Sequence, residues 1–445
     1  MLPGGITGGT AGWLSARRGR REVTVPNDAL ARKLTTADAV VIGLGSMIGA
    51  GVFSAFAPAA RAAGSGLLLG LAIAAVIAYC NAVASAQLAA AFPTSGGTYI
   101  YGRERLGDWW GFVAGWGFVI GKTASCTAMA LTAAAYVVPD PEWLQRLVAV
   151  ACVVALTALN YQGVTKTAGL ARILVTITLI ALVVVVLAIL LAGDPSLDRL
   201  DGDGGLGTGG AYGVLQAAGL LFFAFAGYAR IATMGEEVRD PETTIPRAIP
   251  IALFLTVAVY AVVALTALAA AGPDAIAGSV APLATAMDAA GVGELDVVVR
   301  VGAVVASLGA LLALIAGIGR TSLAMARNGD LPRWLAAVHP RNRVPHHAEI
   351  ALAVVVGVLV LAVDLRGAIG FSSFGVLTYY AIANASAWTQ PAEHRRWPRA
   401  LNLLGLIGCV TLVATLPVES VAVGAAVLAV GVAGRFLILR RRGAV

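Results

Sequence analysis

The sequence predicts an all-α polytopic membrane protein with about twelve transmembrane helices, and three observations predict it. Of its 445 residues, 59% are hydrophobic, with a mean hydropathy of +0.85. Only 12% are charged, against about 25% in a typical soluble domain. The apolar residues gather in runs of about 20, the length at which a helix crosses a bilayer. The net charge of +7 does not mark a nucleic-acid partner, because the basic residues sit in the loops between apolar runs, following the positive-inside rule.

Taken in order, the spans run roughly over 38–60, 66–92, 108–138, 143–161, 168–193, 211–236, 247–272, 294–327, 348–364, 367–389, 400–417 and 420–438. Loop signals separate them, among them Pro93, Gly96, Gly97, Pro139, Pro195, Pro273, Pro332, Pro345 and Pro391. With twelve spans and a cytoplasmic N-terminus, 24 of the 31 basic residues fall at the inner end. Five (Arg61, Arg146, Arg199, Arg300 and Arg366) fall outside, and Lys122 and Arg230 lie within spans. This bias favours a cytoplasmic position for both termini. The first 35 residues are rich in Gly and Arg and lack an apolar core, so they are expected to be a disordered tail rather than a cleaved signal peptide. Cys80, Cys126, Cys152 and Cys409 fall in apolar segments without CxxC spacing and read as reduced packing residues.

Two stretches break the pattern. Gly45-Ser46-Met47-Ile48-Gly49-Ala50-Gly51-Val52-Phe53 places three glycines in seven residues inside the first span, and each costs about 1 kcal/mol in a helix relative to Ala. Backbone groups freed in lipid find no water, so irregular backbone there must be buried in protein or line a wet cavity. Phe222-Phe223-Ala224-Phe225-Ala226-Gly227-Tyr228-Ala229-Arg230 is a second candidate break, about 180 residues later. Interrupted helices at matching places in two halves point to a transporter's binding site. Gly45 and Gly49 also form a GxxxG, so helix packing stays open as a reading of the first stretch. The phenylalanines of the second also fit plain apolar packing.

These residues resemble the amino acid–polyamine–organocation superfamily of permeases. The first-helix signature G-S-x-I-G-x-G-[IV]-F matches Gly45 to Phe53. Phe92-Pro93-Thr94-Ser95-Gly96-Gly97-Thr98-Tyr99 looks like the loop after the second span, and Gly115-Trp116 like part of the third helix. Gly235-Glu236-Glu237-Val238 with Ile245-Pro246-Arg247-Ala248-Ile249 looks like the loop between the sixth and seventh helices. Ala324-Met325-Ala326-Arg327-Asn328-Gly329-Asp330-Leu331-Pro332 looks like the stretch after the eighth. The match is good from about residue 36 to 345 and weak beyond. It implies two inverted five-helix repeats with broken helices 1 and 6, plus two accessory helices. The divisions would be 1–35 (tail), 36–193 (first repeat), 194–210 (extracellular connector, flexible and acidic through Asp194, Asp198, Asp201 and Asp203), 211–389 (second repeat) and 390–445 (accessory helices and cytoplasmic C-terminus).

The resemblance also implies a site. The N–H groups of Ala50 and Gly51, beside Ile48 and Gly49, would hold a substrate carboxylate at a half-helix N-terminus. The carbonyls of Met47, Phe223 and Ala226, beside Gly227, would take its ammonium. Phe222, Phe223, Phe225 or Tyr228 would supply an aromatic gate, with Phe223 or Tyr228 preferred. Some sodium-independent relatives carry a lysine in the fifth helix, where the corresponding residue here is Thr178.

Lys122 lies about 14 residues into the third span, roughly 21 Å along a helix. A lysine at that depth is a functional candidate by default, and burial disfavours the charged form of an amine. Lys122 is therefore the candidate coupling residue, supplying the charge that Thr178 lacks, with a purely structural role as the alternative. Arg230 would face the inner cavity or pair with Glu236 or Glu237. Ala229 stands where several relatives have an acidic residue, which tilts the reading towards neutral amino acids.

The function so read is secondary active amino acid transport across the plasma membrane by alternating access, with proton coupling or exchange. A cationic amino acid or polyamine transporter, or a non-transporting sensor, is the alternative. No HExxH, deep histidine or paired membrane carboxylate supports an enzyme, and no filter or charge ring supports a channel. The partners are a small amino acid and the bilayer, with no nucleic acid, cofactor or metal expected.

Overall fold

The computed structural model describes residues 34–93, 96–163, 168–200, 209–232, 234 and 237–441. The expected tail up to Lys33, the motif residues Thr94, Ser95, Gly235 and Glu236, and Lys166, Asp201 and Asp203 lie outside them. The first span opens as α1 (Thr36–Met47) on a reciprocal cap. The Asp38 N–H donates to the Thr35 hydroxyl at 3.3 Å, and the Thr35 N–H donates to the Asp38 carboxylate at 2.9 Å. The span stops at Ile48 and Gly49, then resumes as α2 (Ala50–Ser54) and α3 (Phe56–Ala63). Gly64, at φ 56°, turns the chain into α4 (Leu67–Ala91).

A short helix outside the expected spans, α5 (Thr98–Leu106), precedes α6 (Asp108–Val137). Then come α7 (Glu142–Tyr161) and α8 (Ala168–Ala192). The sixth expected span is α9 (Gly210–Phe225), a single 3₁₀ turn over Ala226–Tyr228, and α10 (Ala229–Ala232). Next, α11 (Pro241–Gly278) bends at Gly272, whose φ of 76° precedes Pro273. It is followed by α12 (Pro282–Ala289), α13 (Asp296–Arg327), α14 (His346–Ala362), α15 (Leu365–Trp388), α16 (Arg399–Thr415) and α17 (Val418–Arg441).

Each of the twelve expected apolar stretches coincides with helix. Nine helices or joined helices, among the described residues, are long and apolar enough to cross a membrane. Of the others, α14 and α16 are apolar but only 17 residues long. Helix α15 has 24 residues but carries Ser372, Ser373, Tyr379, Tyr380, Asn384 and Ser386, all buried against protein. Polar side chains within a span are tolerated where other helices, not lipid, surround them.

Burial separates centre from periphery. The apolar window of α6 is 89% buried and that of the sixth span 78%, whereas α7 and α17 reach 17% and 11%. The third and sixth spans therefore form the interior, and α7 and α17 face outward. The described part of the connector expected to be flexible, 194–200, is held in place. Arg199 donates to the carbonyls of Asp194 and Ala270, each at 2.8 Å, and the Ser196 N–H donates to Ala269 O at 3.0 Å. The bend at Gly272 and Pro273 leaves helix carbonyls without their usual donors, and these groups take that place.

At the basic end, residues from four separated stretches converge. Asp330 accepts from Tyr99 Oη at 2.7 Å, Arg103 Nη1 at 2.9 Å and Arg435 Nε at 2.9 Å. Arg103 also pairs with Asp108 at 2.8 Å, and the Arg435 guanidinium lies 4.5 Å from the Trp109 ring centre. The network fastens α17 to α5, α6 and the stretch after α13. Burial and the Asp330 carboxylate push the Tyr99 hydroxyl up to about 12, so it remains a donor at neutral pH. Removing one partner of a buried pair leaves an uncompensated charge at a cost of about 3–5 kcal/mol. Asp330→Asn is therefore expected to lower the thermal unfolding midpoint of the purified protein markedly. An unchanged midpoint in detergent would show that the network carries no such weight.

Candidate functional site

The site is built where the two interrupted spans cross. The first break is sharp: Ile48 adopts φ −80°, ψ 65°, and Gly49 φ −109°, ψ −140°. The Gly49 N–H turns back to Met47 O at 2.8 Å, and the helix restarts at Ala50. Its first-turn N–H groups have no preceding helical carbonyl to receive them. The second break is softer, with α-helix giving way to the 3₁₀ turn at Ala226–Tyr228.

The breaks lie against each other. A Cβ on Gly51 would sit 2.5 Å from Ala224 Cβ and 2.6 Å from Ala224 Cα. A Cβ on Gly227 would run into the carbonyl of Ser46 and the backbone nitrogen of Met47. Both glycines are required by close backbone approach. This is close packing between the two spans, the kind of contact that the GxxxG reading left open.

Side chains from other helices occupy the loosened carbonyls. The Tyr260 hydroxyl of α11 lies 2.5 Å from Met47 O and 3.1 Å from Ala224 O, so one proton serves both breaks in turn. Lys122 of α6, 5% exposed, donates from Nζ to Ala226 O at 3.1 Å, and the Tyr380 hydroxyl of α15 reaches the same oxygen at 3.5 Å. Above the first break, the Tyr136 hydroxyl donates to Phe53 O at 2.9 Å, and its ring meets Phe53 edge-on at 5.9 Å.

Of the expected residues, Met47, Ile48, Gly49, Ala50, Gly51, Phe223, Phe225, Ala226, Gly227 and Tyr228 all fall on the two facing breaks. Tyr228 is fully buried and packs on Tyr380 at 4.9 Å. Phe225 packs on Tyr260 at 5.1 Å. Phe223 remains 6% exposed. Thr178 is placed apart from Lys122. It donates to Leu174 O of its own helix at 2.9 Å and lines a hollow of about 70 Å³ with Ser46, Ile48, Arg230 and Ala310. Arg230 both borders this hollow and pairs with Glu237 at 3.6 Å, which Arg320 of α13 approaches at 3.8 Å.

Neither Gly51 nor Gly227 lines the hollow. Its volume is that of about two waters. A larger cleft of about 640 Å³ lies between α6, α14, α15 and α17, lined by Trp116, Val119, Leu352, Val355, Phe371 and Val423 among others. Its lining also carries Thr123, Thr127, Ser322, Asp364 and Glu419, and includes no residue of either break. Among the described residues no group of three metal-ligating side chains converges.

Sequence reasoning missed Tyr136, Tyr260 and Tyr380. Each is a phenol inside an apolar span, and a buried hydroxyl needs a partner. That signal was available, but the identity of the partner was not.

The fold defines a multi-pass α-helical membrane protein. The profile of the amino acid permease family matches residues 34–433, and the chain belongs to that family. It is 62% identical over 418 residues to uncharacterized transporters of Mycobacterium tuberculosis and Mycobacterium bovis, covering 93% of each chain. A branched-chain amino acid permease of Bacillus subtilis is 25% identical over 399 residues, 85% of each chain. The human cationic amino acid transporter 4 is 26% identical over 379 residues, 80% of this chain and 59% of the other.

Gly227→Ala is expected to distort the Ser46–Met47 backbone at a cost of about 1–3 kcal/mol, because the obstructing atoms are backbone and have no rotamer to adopt. Tyr260→Phe removes one hydroxyl serving both breaks, at about 0.5–1.5 kcal/mol. Both variants should insert and fold yet bind substrate more weakly in a thermal-shift titration. Full affinity in both would contradict the placement of the site.

Proposed function

We propose that this protein is a secondary amino acid transporter of the cell membrane that works by alternating access, with both termini cytoplasmic. Twelve spans arranged as two inverted five-helix repeats plus two accessory helices accommodate the helices and the charge bias. The observation that carries the reading is the pair of broken spans meeting at Gly51 and Gly227, with Lys122 held on the second break. Opened, the breaks would offer the N–H groups of Ala50 and Gly51 to a carboxylate and the carbonyls of Met47, Phe223 and Ala226 to an ammonium. Phe223 or Tyr228 would close over the bound molecule.

Neutral amino acids suit this site best. Lys122 and Arg230 place two cationic groups at the second break, and Ala229 offers no carboxylate to a basic side chain. Lys122 is the coupling residue. It supplies charge at Ala226 from the third span, while Thr178 marks the lysine-free position on the fifth.

Reconstituted in proteoliposomes, the protein should show counterflow of a neutral amino acid such as L-leucine, since a carrier shows trans-stimulation and a channel does not. Lys122→Ala should lower net uptake at least tenfold and flatten its pH dependence. Normal rate and pH profile in that variant would remove the coupling role. Thermal shifts with L-leucine, L-arginine and putrescine distinguish the substrate classes, because a ligand that binds the folded state raises apparent stability.

A further inference from the structure

A polar seam runs from the second break towards the basic end, between α4, α15 and α16. It begins at Ala226 O, which Lys122 Nζ and Tyr380 Oη share. One turn along α15, Asn384 Nδ2 donates to Tyr380 O at 2.9 Å and to Asn81 Oδ1 of α4 at 2.6 Å. Cys409 of α16 donates to the same Asn81 oxygen at 3.4 Å. Gly405 of α16 leaves room for the Asn384 amide, since a Cβ there would sit 2.5 Å from Asn384 Oδ1. Further on, Gln87 Nε2 donates to Ala387 O at 3.4 Å and Gln390 Nε2 to Gln87 O at 3.5 Å. Arg395 Nη2 closes the series on Gln390 O at 3.1 Å, beside the exposed Glu393 and His394.

The seam is under-satisfied along its length. Ser85 Oγ, Gln87 Oε1, Asn384 Oδ1 and Gln390 Oε1 have no hydrogen-bond partner among the described residues. All four side chains are at most 2% exposed. An orphaned buried polar atom costs about 1–3 kcal/mol, and lipid-embedded protein offers no bulk water in exchange. Four such atoms along one seam are the kind of group that ordered water satisfies, each molecule bonding about three. Tyr380, Asn384 and Gln390 span ten residues, roughly 15 Å of helix, which is half the hydrocarbon thickness of about 30 Å.

We propose that this hydrated seam is the route by which Lys122 exchanges protons with the aqueous phase at the Glu393–His394 end. The Lys122 ammonium passes one proton to the water beside Tyr380 Oη and becomes a neutral amine. The excess proton moves along the ordered water by successive O–H bond formation and cleavage, and leaves at the mouth. Reprotonation runs the same steps in reverse. The titratable groups around Lys122 are Cys126 on its own helix, Tyr228 on the break and Tyr380 on α15. Tyr379, Cys80 and Cys409 flank the seam, and Arg395 stands with Glu393 and His394 at its mouth. The proposal rests on Lys122 being the proton site, and its test needs no substrate.

Lys33, Lys122 and Lys166 are the only lysines in the chain. A K33R/K166R protein labelled with ¹⁵N-lysine therefore gives a single side-chain amine signal by NMR in detergent micelles. Exchange of the Lys122 amine protons with solvent should be measurable, and should slow at least tenfold in Asn384→Leu and in Gln87→Leu. Asn384→Ser, which keeps a polar group in the seam, should restore most of the rate. Equal exchange in the parent and both leucine variants would overturn the route. So would an amine that does not exchange in the parent protein. A parent that exchanges through the seam yet shows no counterflow would leave the route standing and remove the transport reading. Gln87→Leu, six residues from Asn81 and without contact to Asn384, covers the event that Asn384→Leu does not fold.

Discussion

The structure depends on one constraint: inside a membrane, a peptide group that leaves the helical ladder must be given another partner. The chain leaves the ladder twice, at Ile48–Gly49 and at Ala226–Tyr228. Its response is to bring the breaks together and surround them with donors from intact helices. Tyr260, Lys122 and Tyr380 serve the carbonyls of Met47, Ala224 and Ala226. Each comes from a regular span, so the irregular backbone is bordered by rigid scaffold.

The rest of the fold positions those donors. Helix α6 is the most deeply buried span, and it carries Lys122 to the second break and Tyr136 to the first. Helix α15 packs along α6 and can be polar because it is enclosed. The chain that enters α1 and the chain that follows α10 are also tied, by Leu34 N–H to Glu237 O at 3.1 Å and Arg239 N–H to Leu34 O at 2.9 Å. The two broken spans are thus joined at one end and in contact at their breaks, so motion of either bears on the other. The Asp330 network, at the same end, holds α17 and α5 on the scaffold side.

Much of this was legible in one dimension. Long apolar runs, glycine density at Gly45–Gly51 and loop signals located the helices and the first break, because lipid imposes length and glycine imposes local weakness. Pro273 reads in sequence as the end of a span, whereas α11 bends at Gly272 and continues to Gly278. Other features were less so. Helix α5 carries no apolar run, and α14 and α16 fall short of a full span. The 194–200 segment looks like a loose polar loop, but Arg199 fastens it to the Ala270 carbonyl 71 residues away. The motif residues Tyr99 and Asn328-Gly329-Asp330 read as two separate signatures, yet they are halves of one buried network.

What the sequence by itself determined was the class, the helical spans and the two places where regular structure fails. These follow from hydrophobicity, charge and glycine content, which act within a few residues of where they are written. Only the tertiary structure decided that Gly51 meets Ala224 and that Gly227 meets Ser46. It also decided that Lys122 serves the second break rather than the hollow at Thr178, and that three tyrosines from distant spans supply the missing donors. Those outcomes depend on which helices lie side by side, and partners 36 to 213 residues apart are chosen by packing rather than by spacing.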